Sequence, residues 1–357
     1  MAYITFDTKK LQHNYKYLDN LFKKNNIQWS IVTKLLCGNK SLLAEVVNLG
    51  VKQICDSRIM NLKMIKSINP NIETIFIKLP SSRNIEKVIQ YADISVNTEF
   101  KNIKLLSNEA VRQSKKHKII ILIELGELRE GVLREEFVDF YYNVFNLPNI
   151  EVVGIGTNLS CLYGVLPNHD KLIQLSLYKQ LVEEKFNKKI PMVSGGSSVT
   201  IPLIFQKLLP KGVNHFRVGE SLFLGTDVYH NSTLKKMHSD TFKLYAEIIE
   251  LNEKHVIPTG QIGHNVDGHS PEFDSDKIGD TTFRAIIELG LLDVDVKHII
   301  PIDSNICVVG ASSDMIVMDL GSNKNKYKVG DLLEFKIDYM GTLRLLNSKY
   351  IDIKLIK

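Results

Sequence analysis

Lys34 follows the run Gln28-Trp29-Ser30-Ile31-Val32-Thr33 and is itself followed closely by Cys37-Gly38-Asn39. The β-formers before it predict a strand that ends at the lysine. A neutral primary amine at such a position can attack a carbonyl carbon; the competing reading is an ordinary strand-end lysine with its stem buried and its ammonium in water. Two further segments offer groups that grip an anion. Ser194-Gly195-Gly196-Ser197-Ser198 joins glycines, which let backbone N–H groups approach a ligand, to hydroxyls that can donate to phosphate oxygens. Arg217-Val218-Gly219-Glu220 sets a cation beside another such glycine. Arg129, between Gly126 and Gly131, can fork onto a carboxylate through two parallel hydrogen bonds, or can be tied up by Glu124, Glu127 or Glu130.

Elements must hold these groups, and the chain alternates in a way that supplies them. Asp7 or Thr8 can cap a helix whose apolar positions are Leu11, Tyr15, Leu18 and Leu21. Eight strand-like runs follow, near 31–34, 53–55, 74–77, 93–96, 119–124, 152–157, 191–193 and 215–218, separated by helical patterns long enough to cross back over a parallel sheet. Eight such units without a glycine-rich GxGxxG turn predict an α/β fold, a (β/α)8 barrel of the TIM type over residues 8–238. From about Asp240 the pattern turns to short β-rich runs between Gly, Pro, Asn and Asp, which predicts a C-terminal all-β domain over 239–357 that residues 1–7 join as a strand.

Composition narrows the class further. The 357 residues carry 45 basic and 40 acidic side chains, and the densest basic run, Lys115-Lys116-His117-Lys118, precedes a strand, so it reads as a solvated helix end rather than a nucleic-acid surface. No uninterrupted apolar stretch reaches membrane-spanning length, and the start lacks the pattern of a secretory signal, so a cytoplasmic protein is expected. Cys37, Cys55, Cys161 and Cys307 lie far apart and form no CxxC pair, which argues against a disulfide framework or a metal site.

In a parallel barrel the carboxyl ends of the strands carry the chemistry, and the loops after strands seven and eight most often hold a phosphate. An amine on the first strand, a phosphate loop after the seventh and an arginine suited to a carboxylate together suggest a cofactor with both an aldehyde and a phosphate, pyridoxal 5'-phosphate, held covalently by Lys34.

These residues in this order resemble the alanine racemase-like family of pyridoxal phosphate enzymes of fold type III. The segments Thr-Lys-x-x-Cys-Gly, Leu-Arg-Glu-Gly, Gly-Thr-Asn-Leu, Gly-Gly-Ser-Ser, Arg-Val-Gly-Glu and Gly-Ala-Ser-Ser-Asp are most similar to its ornithine racemase branch. The resemblance implies Lys34 as the cofactor lysine and Arg217 facing the pyridine nitrogen. It puts Ser197 or Ser198, with the backbone at Gly219 and Glu220, on the phosphate. Asn158 falls where alanine racemases have a histidine beside the ring, and Arg129 falls near the substrate carboxylate. Gly310-Ala311-Ser312-Ser313-Asp314 falls where a partner subunit reaches into the site, with Ser312 on the substrate side. The tyrosine that alanine racemases use as second base has no counterpart, so His264, Asp267, Ser313 and Asp314 are the candidates for that role. The resemblance thus implies an amino-acid racemase that exchanges the α-proton between two bases, working as a homodimer on ornithine, with alanine or broad specificity as the alternative. A decarboxylase of the same fold would place a glutamate at the ring nitrogen and use a cysteine such as Cys307, although Ile306 and Val308 suggest that Cys307 is buried in a strand. A non-catalytic cofactor carrier would leave the second domain unexplained, and a barrel aldolase would normally carry its lysine on a later strand.

Overall fold

The computed structural model describes residues 1–357 except 1, 265–267, 269 and 271. The chain divides into two compact units, one of residues 10–239 and one of residues up to 9 together with 240–357.

In the first unit, parallel strands Gln28–Val32, Gln53–Asp56, Glu73–Phe76, Ile94–Asn97, His117–Leu122 and Ile150–Gly156 pair each with the next. The seventh strand is broken at Gly195. Its first half, Met192–Ser194, pairs with Ile150–Gly156; its second half, Gly196–Ser197, pairs with the eighth strand, His215–Val218. The eighth strand pairs in turn with the first and closes the barrel. Gly196 is needed at this break, because a Cβ there would lie 2.1 Å from the ring of Phe216.

The helix Thr8–Lys24 precedes the barrel, and its buried stripe is Leu11, Asn14, Leu18 and Phe22 rather than one passing through Tyr15 and Leu21. Asn14 takes a core position because its side chain is satisfied: it donates to Leu222 O and His238 O at 3.1 and 2.9 Å and accepts from His238 N at 2.8 Å. The basic run is only partly a solvated helix end, since His117 and Lys118 open the fifth strand. His117 turns inward, is almost fully buried, and lies 2.8 Å from Ser95 Oγ.

Successive side chains in a strand alternate in direction, so residues two apart share a face. Val32, Cys55, Ile75, Ile94, Val96, Ile120, Leu122 and Val153 form one apolar cluster across the strands. Two residues nearer the amino ends, Ser30, Gln53, Glu73 and Lys118 share those faces and make a polar layer. Ser30 Oγ donates to Gln53 Oε1, Gln53 Nε2 donates to Glu73 Oε2, and Lys118 Nζ lies 3.0 Å from Glu73 Oε1. An apolar layer thus caps a hydrogen-bonded one, and polar side chains return at the carboxyl ends.

The second unit is built on the long strand Phe242–His255, in which Phe242, Leu244, Ala246 and Ile248 are buried alternately. Its first half pairs with Leu332–Ile337 and antiparallel with Tyr3–Asp7, which also pairs parallel with Asp352–Ile356. Its second half pairs with Thr281–Ile287, which continues to Ile316–Asp319 and Cys307–Ala311. The unit also contains a helix, Tyr339–Asn347, capped by Asp338 through Gly341 N. Cys307 is exposed rather than buried, since its end of the strand pairs on one side only. No helix among the described residues is long and apolar enough to cross a membrane.

Candidate active site

Lys34 opens a one-turn 3-10 helix, Lys34–Leu36, directly after the first barrel strand, and its side chain is exposed at the carboxyl end of the barrel while Leu35 and Leu36 anchor the turn in the core. The residue before it is locked. Thr33 N donates to Cys55 O at 2.9 Å, and Thr33 Oγ1 donates to Asp56 Oδ2 at 2.8 Å. Asp56 is fully buried at the end of the second strand and also accepts from Arg58 N and Asn61 Nδ2 at 2.8 and 3.1 Å. Burial raises its pKa from the ordinary carboxylate value, and these hydrogen bonds oppose the rise. After Lys34 the chain must turn sharply through Cys37 and Gly38, both at positive φ; a Cβ on Gly38 would lie 2.4 Å from Asn61 Oδ1. Burial and the nearby Asp56 push the Cys37 thiol up to about 11, so it is no thiolate nucleophile at neutral pH.

Arg217 sits on the eighth strand, 8 % exposed. Its guanidinium donates through Nη1 to Ser194 O at 2.9 Å and to Ser194 Oγ, and through Nη2 to Thr157 O at 2.8 Å. No carboxylate lies in ion-pair range of it among the described residues; burial lowers its pKa from the usual arginine value, but an arginine remains charged. Carbonyl and hydroxyl dipoles from the ends of strands six and seven therefore hold a buried cation directly, with the Glu130 carboxylate acting on it only from beyond ion-pair range.

Beside Arg217, in register with it across the sheet, is Ser197. Ser197 and Thr200 form a reciprocal cap, so the Ser197 oxygen already accepts a backbone N–H. Ser198 is buried, and its oxygen accepts from Ser221 N at 3.2 Å. Both hydroxyls keep their protons to offer an anion. Gly219 lets the neighbouring backbone approach: a Cβ there would sit 3.0 Å from Val32 O. The Glu220 carboxylate accepts from Thr226 Oγ1 at 3.2 Å.

Arg129 occupies the tip of an excursion after the fifth strand, closed where Glu124 N and Val132 N bond back at 3.0 and 2.8 Å. Gly131 is required there, because its Cβ would lie 2.3 Å from Glu124 N. Of its acidic neighbours Arg129 is tied to Glu130, donating through Nε and Nη2 to both carboxylate oxygens, so its own fork is taken up within the loop; Glu130 also accepts from Asn158 Nδ2 at 3.0 Å. Asn158, Glu130 and Arg129 thus form one linked group between the loops after strands five and six.

Glu127 is the residue that sequence reasoning passed over. It is 1 % exposed, and its carboxylate accepts five backbone N–H groups, from Ser160, Cys161, Leu162, Tyr163 and Val165, at 2.5 to 3.1 Å. Burial pushes its pKa up, but the N–H groups of Leu162, Cys161, Tyr163 and Ser160 outweigh it and hold the carboxyl down at about 2. One glutamate so pins the whole loop after the sixth strand. Its only sequence signal was its place among three glutamates beside Arg129.

In the second unit, Ser312, Ser313 and Asp314 form the turn between Cys307–Ala311 and Ile316–Asp319. Ser312 N bonds to Met315 O at 2.8 Å, and Ser313 Oγ donates to Asp314 Oδ2 at 3.0 Å. The turn packs tightly on Gly290, whose Cβ would lie 2.2 Å from Ser313 O. His264 belongs to a separate, exposed loop, with Nδ1 3.2 Å from Ser270 Oγ. Asp267 lies outside the described residues.

The comparisons agree with this architecture. Residues 6–227 match the model of the alanine racemase N-terminal domain family. The chain is 36 % identical to ornithine racemase of Acetoanaerobium sticklandii over 354 residues, 99 % of each chain. It is 29 % identical to lysine racemase of Thermotoga maritima over 352 residues, 98 % of this chain and 97 % of that one. Among solved structures, alanine racemase from Bartonella henselae with covalently bound pyridoxal phosphate superposes with a TM-score of 0.75 at 18 % identity, covering 99 % of both chains. With the barrel's lysine, arginine and glycine-serine turn each at a strand end and the match running the length of the barrel, the chain belongs to the alanine racemase family and has its fold.

Proposed function

We propose that this protein is a pyridoxal 5'-phosphate-dependent amino-acid racemase, an isomerase, that interconverts L- and D-ornithine. The full-length similarity to ornithine racemase, running through both units, carries the reading. The residues at the barrel mouth suit the cofactor: an amine at Lys34 for its aldehyde, a buried guanidinium at Arg217 for its ring nitrogen, and hydroxyl protons at Ser197 and Ser198 with the backbone of Gly219 and Glu220 for its phosphate. When bound, the cofactor acidifies the α-proton of an attached amino acid by drawing electron density towards its ring.

The chain's own groups do the rest. Lys34 Nζ takes the α-proton on one face as the amine, or returns it there as the ammonium. Arg217, permanently protonated, would donate a hydrogen bond to the ring nitrogen instead of a proton, and so would limit how far the ring draws electrons. The same arginine disfavours the decarboxylase reading, and Asn158 would lie beside the ring. Arg129, whose Nε and Nη2 are engaged by Glu130, would meet the α-carboxylate through its remaining N–H groups, with Glu130 and Asn158 holding it in place. An acid or base for the opposite face comes from the partner's copy of the second unit, among His264, Asp267, Ser313 and Asp314, with Ser312 contacting substrate. The working unit is therefore a homodimer. A cytoplasmic setting accords with four free cysteines.

The test is incubation of the cofactor-loaded protein with L-ornithine in heavy water, following optical rotation and α-deuterium uptake beside Lys34→Ala. Loss of rotation with deuterium uptake, absent in the variant, is the expected result. Unchanged rotation with L-ornithine and turnover of L-lysine would transfer the substrate to lysine, which the second relative favours. Bound cofactor without turnover of either, or of alanine, serine or arginine, would overturn the racemase reading in favour of a carrier.

A further inference from the structure

A buried histidine lies beneath Arg217. His215 is 1 % exposed and precedes Arg217 by two residues on the same strand, so the two side chains share a face. His215 Nδ1 is 2.7 Å from Ser194 Oγ, and Nε2 is 2.8 Å from Gln53 Oε1 and 2.9 Å from Ser30 Oγ.

The direction of each bond follows from its ends. Glu73 accepts from Gln53 Nε2, which fixes the amide so that its oxygen faces His215. Gln53 Oε1 can only accept, so His215 Nε2 carries the proton. Burial, reinforced by the Arg217 charge, pushes the His215 pKa down to about 3, so the ring is neutral and Nδ1 presents a lone pair. The Ser194 hydroxyl proton must then point at Nδ1. Arg217 has donors only, so what Ser194 turns towards Nη1 is an oxygen lone pair. Donors and acceptors run one way from Arg217 through Ser194, His215 and Gln53 to Glu73, where Lys118 balances the carboxylate.

We propose that His215 is a positioning residue for Arg217. As the Nε2–H tautomer it commits Ser194 to accept from the guanidinium, and so sets the angle at which Arg217 meets the ring nitrogen of the cofactor. The inference rests on the assignment of Arg217 to that nitrogen. Without the Nδ1 lone pair the Ser194 proton loses the acceptor that pins it, and among the hydrogen bonds of the described residues only Arg217 Nη1 remains to orient the hydroxyl.

Three variants test it. His215→Leu removes the Nδ1 acceptor, Ser194→Ala removes the link, and His215→Asn places an amide oxygen where Nδ1 was. His215→Leu and Ser194→Ala should each weaken binding of pyridoxal phosphate to the cofactor-free protein by about ten- to a hundredfold, the range for one hydrogen bond lost from a charged group. They should shift the absorption band of the bound cofactor and lower kcat more than they raise KM. The double variant should be no worse than Ser194→Ala alone, because His215 acts through that hydroxyl. His215→Asn should restore affinity and spectrum, an outcome that general core damage would not give. Nitrogen-15 shifts of His215 in the cofactor-free wild type should report the Nε2–H tautomer, independently of any activity. Wild-type cofactor affinity and spectrum in Ser194→Ala, additive losses in the double variant, or the opposite tautomer would each overturn the proposal, and Ser194→Ala with His215→Asn decide it if His215→Leu does not fold. A wild type that shows the tautomer but neither binds the cofactor nor racemises would fail the functional reading instead.

Discussion

Replacing Glu127 by glutamine tests whether one carboxylate pins the loop after the sixth strand. In the wild type, Oε1 takes Cys161, Leu162 and Tyr163 N–H, and Oε2 takes Ser160 and Val165 N–H at 3.1 and 3.0 Å. Glutamine keeps one oxygen and turns an NH2 towards the other set, so two backbone donors lose their acceptor and face another donor. At about 1–3 kcal/mol for each buried group left unsatisfied, the cost is about 2–6 kcal/mol. Local opening limits that cost. Leu162 and Tyr163 are mostly exposed, so little apolar burial keeps the loop down once its hydrogen bonds weaken. Two readouts therefore belong together: a Tm lower by about 4 °C or more, at roughly 2–4 °C per kcal/mol for a unit of this size, or new proteolytic cleavage within 158–166 at unchanged Tm. The acid limb adds a third. Folded Glu127 stays ionised down to about 2, whereas its unfolded counterpart protonates near 4.5. The carboxylate's contribution is thus complete above about 4.5 and fades as the pH falls towards 2, so the stability gap between wild type and variant should close over that window. A Glu127→Gln protein with wild-type Tm, cleavage pattern and acid limb would refute the reasoning.

Gly38→Ala should lower Tm by several degrees and reduce turnover, because the new Cβ meets Asn61 Oδ1 at positive φ in the turn that carries Lys34; calorimetry and the rotation assay check it. Arg217→Lys should weaken cofactor binding at least about tenfold in an absorbance titration, since a point charge cannot span Ser194 and Thr157 together. Arg129→Lys should raise KM by about tenfold or more with a smaller change in kcat, because the forked contact to a carboxylate is lost while Lys34 is untouched; initial-rate kinetics separate the two.

The barrel could be read from the sequence because strands of a parallel sheet are covered on both faces and stand out as short Val/Ile-rich runs. The break at Gly195 could not, since three residues on one side and two on the other are too few for a pattern. The helix Tyr339–Asn347 was hidden for a different reason: Gly341 lies inside it, where glycine ordinarily disfavours a helix, but here the glycine packs 2.7 Å from His298 O as measured at its missing Cβ. Lys34, Arg217 and the Ser-Gly-Gly-Ser-Ser turn could be placed from the sequence because each falls at or just after the end of a strand-like run. Glu127 was not, because its partners are backbone N–H groups 33 to 38 residues away, which no side-chain spacing encodes. His215 carried a usable signal: two residues before Arg217, it had to share that arginine's face.

The way Arg217 is held bears on which chemistry the barrel can support. A buried guanidinium paired with a carboxylate would be nearly neutral to its surroundings, and a ligand's ring nitrogen would compete with that carboxylate for its N–H groups. Here the groups in direct contact are Ser194 O, Ser194 Oγ and Thr157 O, which are dipoles, and the Glu130 carboxylate acts only from beyond ion-pair range, so most of the charge stays. The cation therefore still repels any second proton brought close to it, and a ring nitrogen hydrogen-bonded to it must stay unprotonated. Reactions that need a fully protonated ring to store charge for long are disfavoured by that arrangement. A reaction that takes a proton from one face and replaces it at once from the other requires only brief charge storage, and it is the one the dipole-held arginine suits.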